Sequence, residues 1–268
     1  MNNLYRQINY NSDVDYLIST YIREYDISKA NINVLYKYGA ITKSQYENYY
    51  IMNKNAREIS VGILLRDNPE FNTVLQNGII EAKRLFFEAN NIQEEDVLSI
   101  KNDAVFIINK IPNVCTFDNI EFSLKNVYTS FYKLDNIELY YYFDIVTGGE
   151  KLDIKGINDK MLPLHEEYFL EFLKVVFNSA QAYSIQDTID IITTFYNQYI
   201  KLELEVGYYR EFNASSKFRL KDISNYYSSY GVDMIGEWEK NKLDIICNLN
   251  LIRQLHQIYS GLYFSRRK

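Results

Sequence analysis

Apolar residues recur at two different spacings along this chain, and the change falls near residue 160. Before that point, short apolar runs typical of strands alternate with helical patterns, whereas after it the spacing is almost entirely helical. The pattern therefore predicts an α+β fold, with an antiparallel, meander-like sheet and packing helices followed by a mostly helical C-terminal lobe. We expect two domains, residues 1–160 and residues 161–268.

Helices are predicted where apolar positions three and four residues apart coincide with end signals. The clearest runs from Pro69 to about residue 90. Residues 32–38 form another, which ends at Gly39, and Thr42 with Gln45 makes a capping-box pattern for the next. In the C-terminal lobe we expect helices over residues 166–181, 186–204 and 239–260, with a loop or an irregular element over residues 206–220.

Strands are predicted where short apolar runs are bounded by polar turns. Residues 97–108 form an apolar–polar–apolar pattern around Lys101-Asn102-Asp103, which is typical of a β-hairpin. Residues 16–25 suit either a helix or a strand. Further strands are expected over residues 119–124, 128–133, 138–145 and 152–154.

Composition narrows the class of protein. Tyr and Phe number 26 and 15 against only 3 Pro, which excludes a disordered chain. The two cysteines, Cys115 and Cys247, stand alone, so neither a disulfide scaffold nor a zinc ribbon is indicated. No apolar run is long enough to span a bilayer, and the polar N-terminus does not resemble a signal peptide. We therefore expect a cytoplasmic protein with no membrane partner.

The formal net charge of −6 argues against a broad basic surface for nucleic acid, although it leaves room for a local basic channel. The bias toward Asn, Ile, Lys and Tyr is typical of an AT-rich genome, such as that of a phage or a low-GC bacterium. For a phage protein, the expected location is the host cytoplasm.

Two aspartates occupy turns where chemistry is plausible. Asp26 follows an extended run and directly precedes a helix, and Asp103 lies at the tip of the predicted hairpin. Singly, such residues are usually a helix cap and a turn residue. If their strands are neighbours, however, the two carboxylates converge. Mg²⁺ commonly binds one or two carboxylates plus substrate phosphates, and two ions about 4 Å apart promote phosphoryl transfer.

The order of these segments resembles the palm of family B DNA polymerases. Residues 26–33 (DISKANIN) are similar to the first palm motif, D-x-x-S-L-Y-P-S, in the acid and its strand-to-helix context. Lys101-Asn102-Asp103-Ala104 aligns with the D-T-D-S hairpin, so that its second acid falls on Asp103. A long helix precedes the hairpin in both, and Lys155-Gly156 corresponds to the segment that leads into the helical thumb.

This resemblance implies a nucleotidyltransferase that adds nucleotides to a 3′-OH by two-metal-ion chemistry, as a DNA or RNA polymerase or a primase does. It implies Asp26 and Asp103 as catalytic ligands of Mg²⁺ or Mn²⁺, with nucleoside triphosphates and a primer–template as partners, alongside other replication or transcription subunits. The other implied residues bind the nucleotide, namely Ile27 (through its carbonyl), Asn31, Lys54 and Arg57, or the nucleic acid, namely Lys125 and Lys155.

The chain also departs from the family pattern. Lys101 replaces the first acid of the hairpin, and Asn31 replaces the tyrosine that excludes ribose 2′-OH groups, which would admit ribonucleotides. The fingers motif K-x-x-x-N-S-x-Y-G is absent from the sequence. The alternative is therefore a catalytically inactive, polymerase-derived interaction or structural protein, such as a phage subunit, a virion component or a counter-defence factor that binds nucleotides without polymerising them.

Overall fold

A computed structural model confirms the α+β class, with an antiparallel seven-stranded sheet, packing helices and helices at the C-terminal end. The residues that the structure describes are Tyr5, 14–134, 137–144, 146–156, 162–209 and 242–265. No helix among them is long and apolar enough to cross a membrane.

One helix begins at its predicted cap, because Thr42 and Gln45 form the capping box of the second helix. Ser184 and Asp187, which the sequence analysis did not single out, form the same motif later in the chain. Of the segment predicted as a loop or an irregular element, residues 206–209 form a short 3₁₀ helix, and the rest lies outside the described residues. The helices are α1 (Ala30–Lys37), α2 (Lys43–Ile51), α3 (Lys54–Asp67), α4 (Glu70–Ala89), α5 (Phe169–Ala182), α6 (Ile185–Ile200) and α7 (Lys242–Ser265).

The strands are β1 (Tyr16–Ile27), β2 (Val97–Lys101), β3 (Ala104–Ile107), β4 (Thr116–Phe117), β5 (Ile120–Leu134), β6 (Ile137–Phe143) and β7 (Glu150–Lys155). Their hydrogen-bonded order is β2-β3-β1-β5-β6-β7, and β4 pairs with β5. The prediction of two strands over residues 119–133 was wrong. Residues 125–127 continue β5 without a break, because the polar residues Lys125 and Asn126 bond to the acidic side chains Asp26 and Glu24.

The chain forms two compact units. The first comprises Met1–Val14 and Tyr21–Val127, and the second comprises Asp15–Thr20 and Tyr128–Lys268. Helices α5, α6 and α7 pack in the second unit with residues of β6 and β7. A boundary at residue 160 stays a prediction.

Aromatic stacking and one close helix contact organise the first unit. Phe86 of α4 stacks on Phe122 of β5 with ring centroids 4.2 Å apart, and both side chains are buried. Gly78 of α4 lies directly against α1, where an added Cβ would come within 2.3 Å of Val34 Cγ1. Only glycine permits this approach, so α1 and α4 are held close beside the sheet.

Tyrosines fill much of the core of the second unit. Tyr132 stacks on Phe177 at 4.1 Å, and its hydroxyl lies 2.7 Å from that of Tyr259. Burial raises the pKa of the Tyr132 phenol, which therefore stays neutral. Leu170, Phe172, Val176 and Ile192, which recur at helical spacing, are buried, whereas Ile189 and Leu202 are only partly buried.

Candidate active site

The hairpin and β1 bring the two aspartates to one end of the sheet. Asp26 pairs with Ala104 in the antiparallel register of β1 and β3, so Asp103 immediately precedes the partner of Asp26. Asn102 and Asp103 form the two-residue connection between β2 and β3, and Asn102 adopts a left-handed conformation with φ of 53°. Asparagine tolerates this conformation better than most residues. The predicted hairpin, with Asp103 at its tip beside the strand of Asp26, is confirmed.

A cleft of about 640 Å³ opens beside this junction, within the first unit. It is lined by most of the residues predicted for catalysis and binding: Asp26, Ile27, Asn31, Lys54, Arg57, Asp103 and Lys125. Lys155 is the exception, since it belongs to β7 in the second unit. The structure thus gathers residues that are up to 99 positions apart in sequence.

Asp26 is mostly buried, with 14% of its side chain exposed. Its Oδ2 atom forms an ion pair with the Lys125 ammonium, whereas Oδ1 is buried and has no hydrogen-bond partner among the residues that the structure describes. A buried carboxylate oxygen without a partner is costly unless a cation or a donor reaches it. Asp26 therefore has one oxygen ready to accept a ligand.

Asp103 shares its surroundings with a buried lysine of α4. Burial raises the pKa of the Asp103 carboxyl, although Lys83 and Lys54 oppose the shift. Lys83 is only 2% exposed and donates from Nζ to the Asn102 carbonyl oxygen at 3.0 Å. Burial lowers the pKa of Lys83 to about 8. Lys83 thus stabilises the hairpin tip through this hydrogen bond, although burying its charged form is unfavourable.

Helix α3 contributes basic side chains to the lining of the cleft, and we call this part of the lining the basic wall. Lys54 begins α3 and lies 3.8 Å from Glu58, and Arg57 donates to the Met52 carbonyl oxygen at 3.1 Å. Asn53 caps the helix by accepting from the Ala56 N–H at 2.9 Å. Counted over its described lining, the cleft has four basic and three acidic residues, although the whole chain has a net charge of −6.

The first turn of α1 also lines the cleft. Lys29 precedes the helix in a left-handed conformation with φ of 49°, and its side chain does not cap the first backbone N–H groups. The Lys29 ammonium instead points to Tyr50, 3.1 Å from the ring centroid, where it also donates to the Tyr50 carbonyl oxygen. Ser28 meets Ser123 of β5 with their hydroxyl oxygens 2.5 Å apart, which fixes the turn between β1 and α1.

The sequence analysis missed Lys83. Its position on the apolar stripe of α4, between Ile79 and Phe86, is the signal that could have revealed it, because a charged residue there must be buried. Ser28, Ser123 and Glu58 were also missed, and their polar surface patterns give no comparable signal.

The cleft suits a divalent cation that binds together with a ligand. Across the described residues, no group of three or more His, Cys, Asp or Glu side chains is arranged to hold a metal ion. The unpartnered Asp26 Oδ1 and the nearby Asp103 nevertheless supply the hard oxygen donors that Mg²⁺ prefers. The remaining ligands would have to come from a substrate.

A comparison with protein families matches residues 1–260 of the chain to the model of the bacteriophage PBS1 gene 130 protein. The chain belongs to that family. This membership supports the phage origin suggested by the composition, while the family description names no activity. Among curated proteins, no relative matches the chain.

Proposed function

We propose that this phage protein is a nucleotidyltransferase of the polymerase-palm type, which adds nucleotides to a 3′-OH. One observation supports this most directly: a buried carboxylate of Asp26 with an unpartnered oxygen lines the same cleft as Asp103 and a set of basic side chains. A phosphoryl-transfer site needs carboxylates that hold metal ions and cations that neutralise phosphate charge, in the same cleft.

The basic wall is suited to a triphosphate. Lys54 and Arg57 lie on one turn of α3, and their charges would neutralise phosphate oxygens without covalent chemistry. The first turn of α1 adds backbone N–H groups at a helix N-terminus, where anions are favoured. The local excess of positive charge would attract a nucleoside triphosphate to an otherwise acidic chain.

Asp26 and Asp103 would hold Mg²⁺ or Mn²⁺ together with phosphate oxygens of the nucleotide. When bound, the metal would supply the positive charge that stabilises the attacking and leaving oxygens. Lys83 would keep the hairpin tip, and with it Asp103, in position through the Asn102 carbonyl. Ile27 would contribute its backbone carbonyl beside Asp26, as the resemblance implies.

Asn31 bears on the choice of sugar. It lies in the first turn of α1, is half-buried and lines the cleft. Its short amide leaves more room than a tyrosine would, so we expect ribonucleotides to be accepted. The nucleic-acid partner would be a primer–template, contacted by Lys125 and Lys155.

An extension assay tests this function. Labelled primers and unprimed templates are incubated with ribo- or deoxyribonucleotides and Mg²⁺ or Mn²⁺, and product length is measured. We expect metal-dependent extension by the wild type, and a loss of at least about a hundredfold in Asp26→Asn and Asp103→Asn. Asp67→Asn is the matched control, because Asp67 is an exposed acid that does not line the cleft. Equal activity in all four proteins would contradict the assignment.

The ion pair between Lys125 and Asp26 favours the second candidate, an inactive palm that serves as an interaction or structural protein. A lysine ammonium there can replace the charge of a metal ion. In an inactive palm, Lys125→Met would leave Asp26 buried and unpaired and would lower stability without any gain of metal binding. In an active enzyme, the same change would strengthen the response of the melting temperature to Mg²⁺.

A further inference from the structure

A second cleft of about 700 Å³ adjoins the first, also within the first unit. The two share Asn31 and Asp103, so the hairpin tip and the start of α1 border both. Apart from Lys83 and Asn102, which hold the hairpin tip, the proposed chemistry uses none of the other residues that line the second cleft.

One face of α4 forms the wall of this cleft. Leu75, Ile79 and Lys83 follow one another at four-residue intervals, and Gln76 and Ile80 form the adjacent row. The three apolar side chains are only partly buried, although they lie on a helix that packs against the core. Partly exposed aliphatic side chains in a concave site are typical of ligand pockets.

The polar groups of the second cleft are mainly amides, in contrast to the charged groups of the first. They come from Asn31, Gln76, Asn77 and Asn102, and of the two charged residues Lys83 is buried and Asp103 belongs to both clefts. Amides donate and accept hydrogen bonds without attracting a charged ligand. This lining fits a neutral, flat, hydrogen-bonding group better than it fits a phosphate.

We propose that the second cleft binds the nucleoside part of a nucleoside triphosphate, with the base on the Leu75, Ile79 and Ile80 surface and its polar edge toward Gln76 and Asn77. This inference rests on the proposed function, which places the phosphates in the first cleft. Asn31 lines both clefts, so it would lie where the triphosphate meets the nucleoside. Gln76 and Asn77 then supply hydrogen bonds to the base.

Calorimetric titration with two probes, ATP and inorganic tripolyphosphate, separates the two clefts. In Mg²⁺ buffer, we expect the wild type to bind ATP about tenfold more tightly than tripolyphosphate, because only ATP buries a base on apolar surface. Ile80→Asn should remove that difference and leave tripolyphosphate binding unchanged. Ile63→Asn is the matched control, since Ile63 is a 48% exposed isoleucine of α3 outside both clefts.

The outcomes distinguish the two proposals. Equal affinities of the wild type for ATP and tripolyphosphate would overturn the nucleoside site while leaving the phosphate site intact. ATP binding that depends on Ile80, without any tripolyphosphate binding, would support the nucleoside site and contradict the phosphate site of the proposed function. Binding of neither probe would overturn both. If Ile80→Asn fails to fold, Gln76→Ala tests the same point from an exposed position, through weaker ATP binding with unchanged tripolyphosphate binding.

Discussion

At the scale of single residues, Lys83 gives a stability prediction that depends on pH. Its pKa is lowered to about 8 in the folded protein, so between that value and the ordinary value of 10.5 the unfolded chain binds more protons. Stability of the wild type should therefore rise as the pH increases through this window. At pH 7, Lys83→Met should equal the wild type in stability or exceed it by up to about 1 kcal/mol, because the change removes the cost of burying the lysine charge.

Urea unfolding of both proteins at pH values from 7 to 10.5 measures this effect. The gap between variant and wild type should shrink as the pH rises and Lys83 loses its proton. Lys83→Arg is the control. Arginine keeps its charge over the whole pH range, so the stability of this variant should not rise with pH. A constant gap would show that Lys83 does not titrate in this window.

Asp103 gives a second residue-scale prediction. Its raised pKa already includes the attraction of Lys83, so on balance the folded protein disfavours the charged carboxylate. Asp103→Asn should then melt at the same temperature as the wild type or slightly higher at pH 7. Since the folded state binds the extra proton, the wild type should lose stability as the pH rises through the raised pKa, and the variant should not.

Melting with and without Mg²⁺ tests the role of Asp103 in metal binding. Stabilisation by Mg²⁺ should be present in the wild type and absent in Asp103→Asn, because ligands stabilise the folded state that binds them. Equal metal responses in the two proteins would favour the interaction-protein hypothesis. Burial is the largest cause of the raised pKa of the Asp103 carboxyl.

At the scale of elements, the cap of α3 controls the basic wall of the first cleft. Asn53→Ala removes the side-chain acceptor of the Ala56 N–H and should cost about 1 kcal/mol of stability. The first turn holds Lys54 and Arg57, so its fraying should also weaken tripolyphosphate binding severalfold. Asn53→Ser keeps a cap and should restore both properties. Calorimetry and thermal melts measure the two effects, and a loss of stability with unchanged binding would argue against a role for this turn.

Elements with strong local signals were predictable. The hairpin follows from the apolar runs around Asn102-Asp103, and the second helix begins at its capping box as expected. The continuous β5 was not predictable, because Lys125 and Asn126 are poor local strand signals. Their partners on β1, Asp26 and Glu24, are 99 and 102 residues away, so only tertiary contact explains the strand.

At the scale of the whole molecule, Lys155 lies in a different compact unit from the cleft, so its contribution to nucleic-acid binding should be separable. Lys155→Ala should weaken primer–template binding and reduce the salt slope of log affinity by about 0.7 to 0.9. ATP binding should not change. Lys201→Ala, at the exposed end of α6, is the control. An unchanged slope, measured by fluorescence anisotropy over a range of salt concentrations, would remove Lys155 from the interface.

The site as a whole was predictable only as far as its acids and cations. Asp26, Asp103, Lys54 and Arg57 follow from motif order, and the structure places all four in one cleft. The ion pair that Lys125 forms with Asp26 depends on strand pairing, and the cleft along α4 depends on how α1 packs against it. Neither arrangement is encoded in a local pattern, which is why sequence reasoning missed the second cleft.

The close contact at Gly78 sets the distance between α1 and α4. The width of the second cleft therefore depends on this distance between the helices and not only on the side chains that line the cleft. Asn31 on α1 and Ile79 on α4 border that space, and the two helices are held together where a methyl group at Gly78 would collide with Val34. Replacing Gly78, which does not line the cleft, with alanine would therefore push the two helices apart. Members of the family with a larger residue at this position should select ligands of a different thickness, even where every lining side chain is identical.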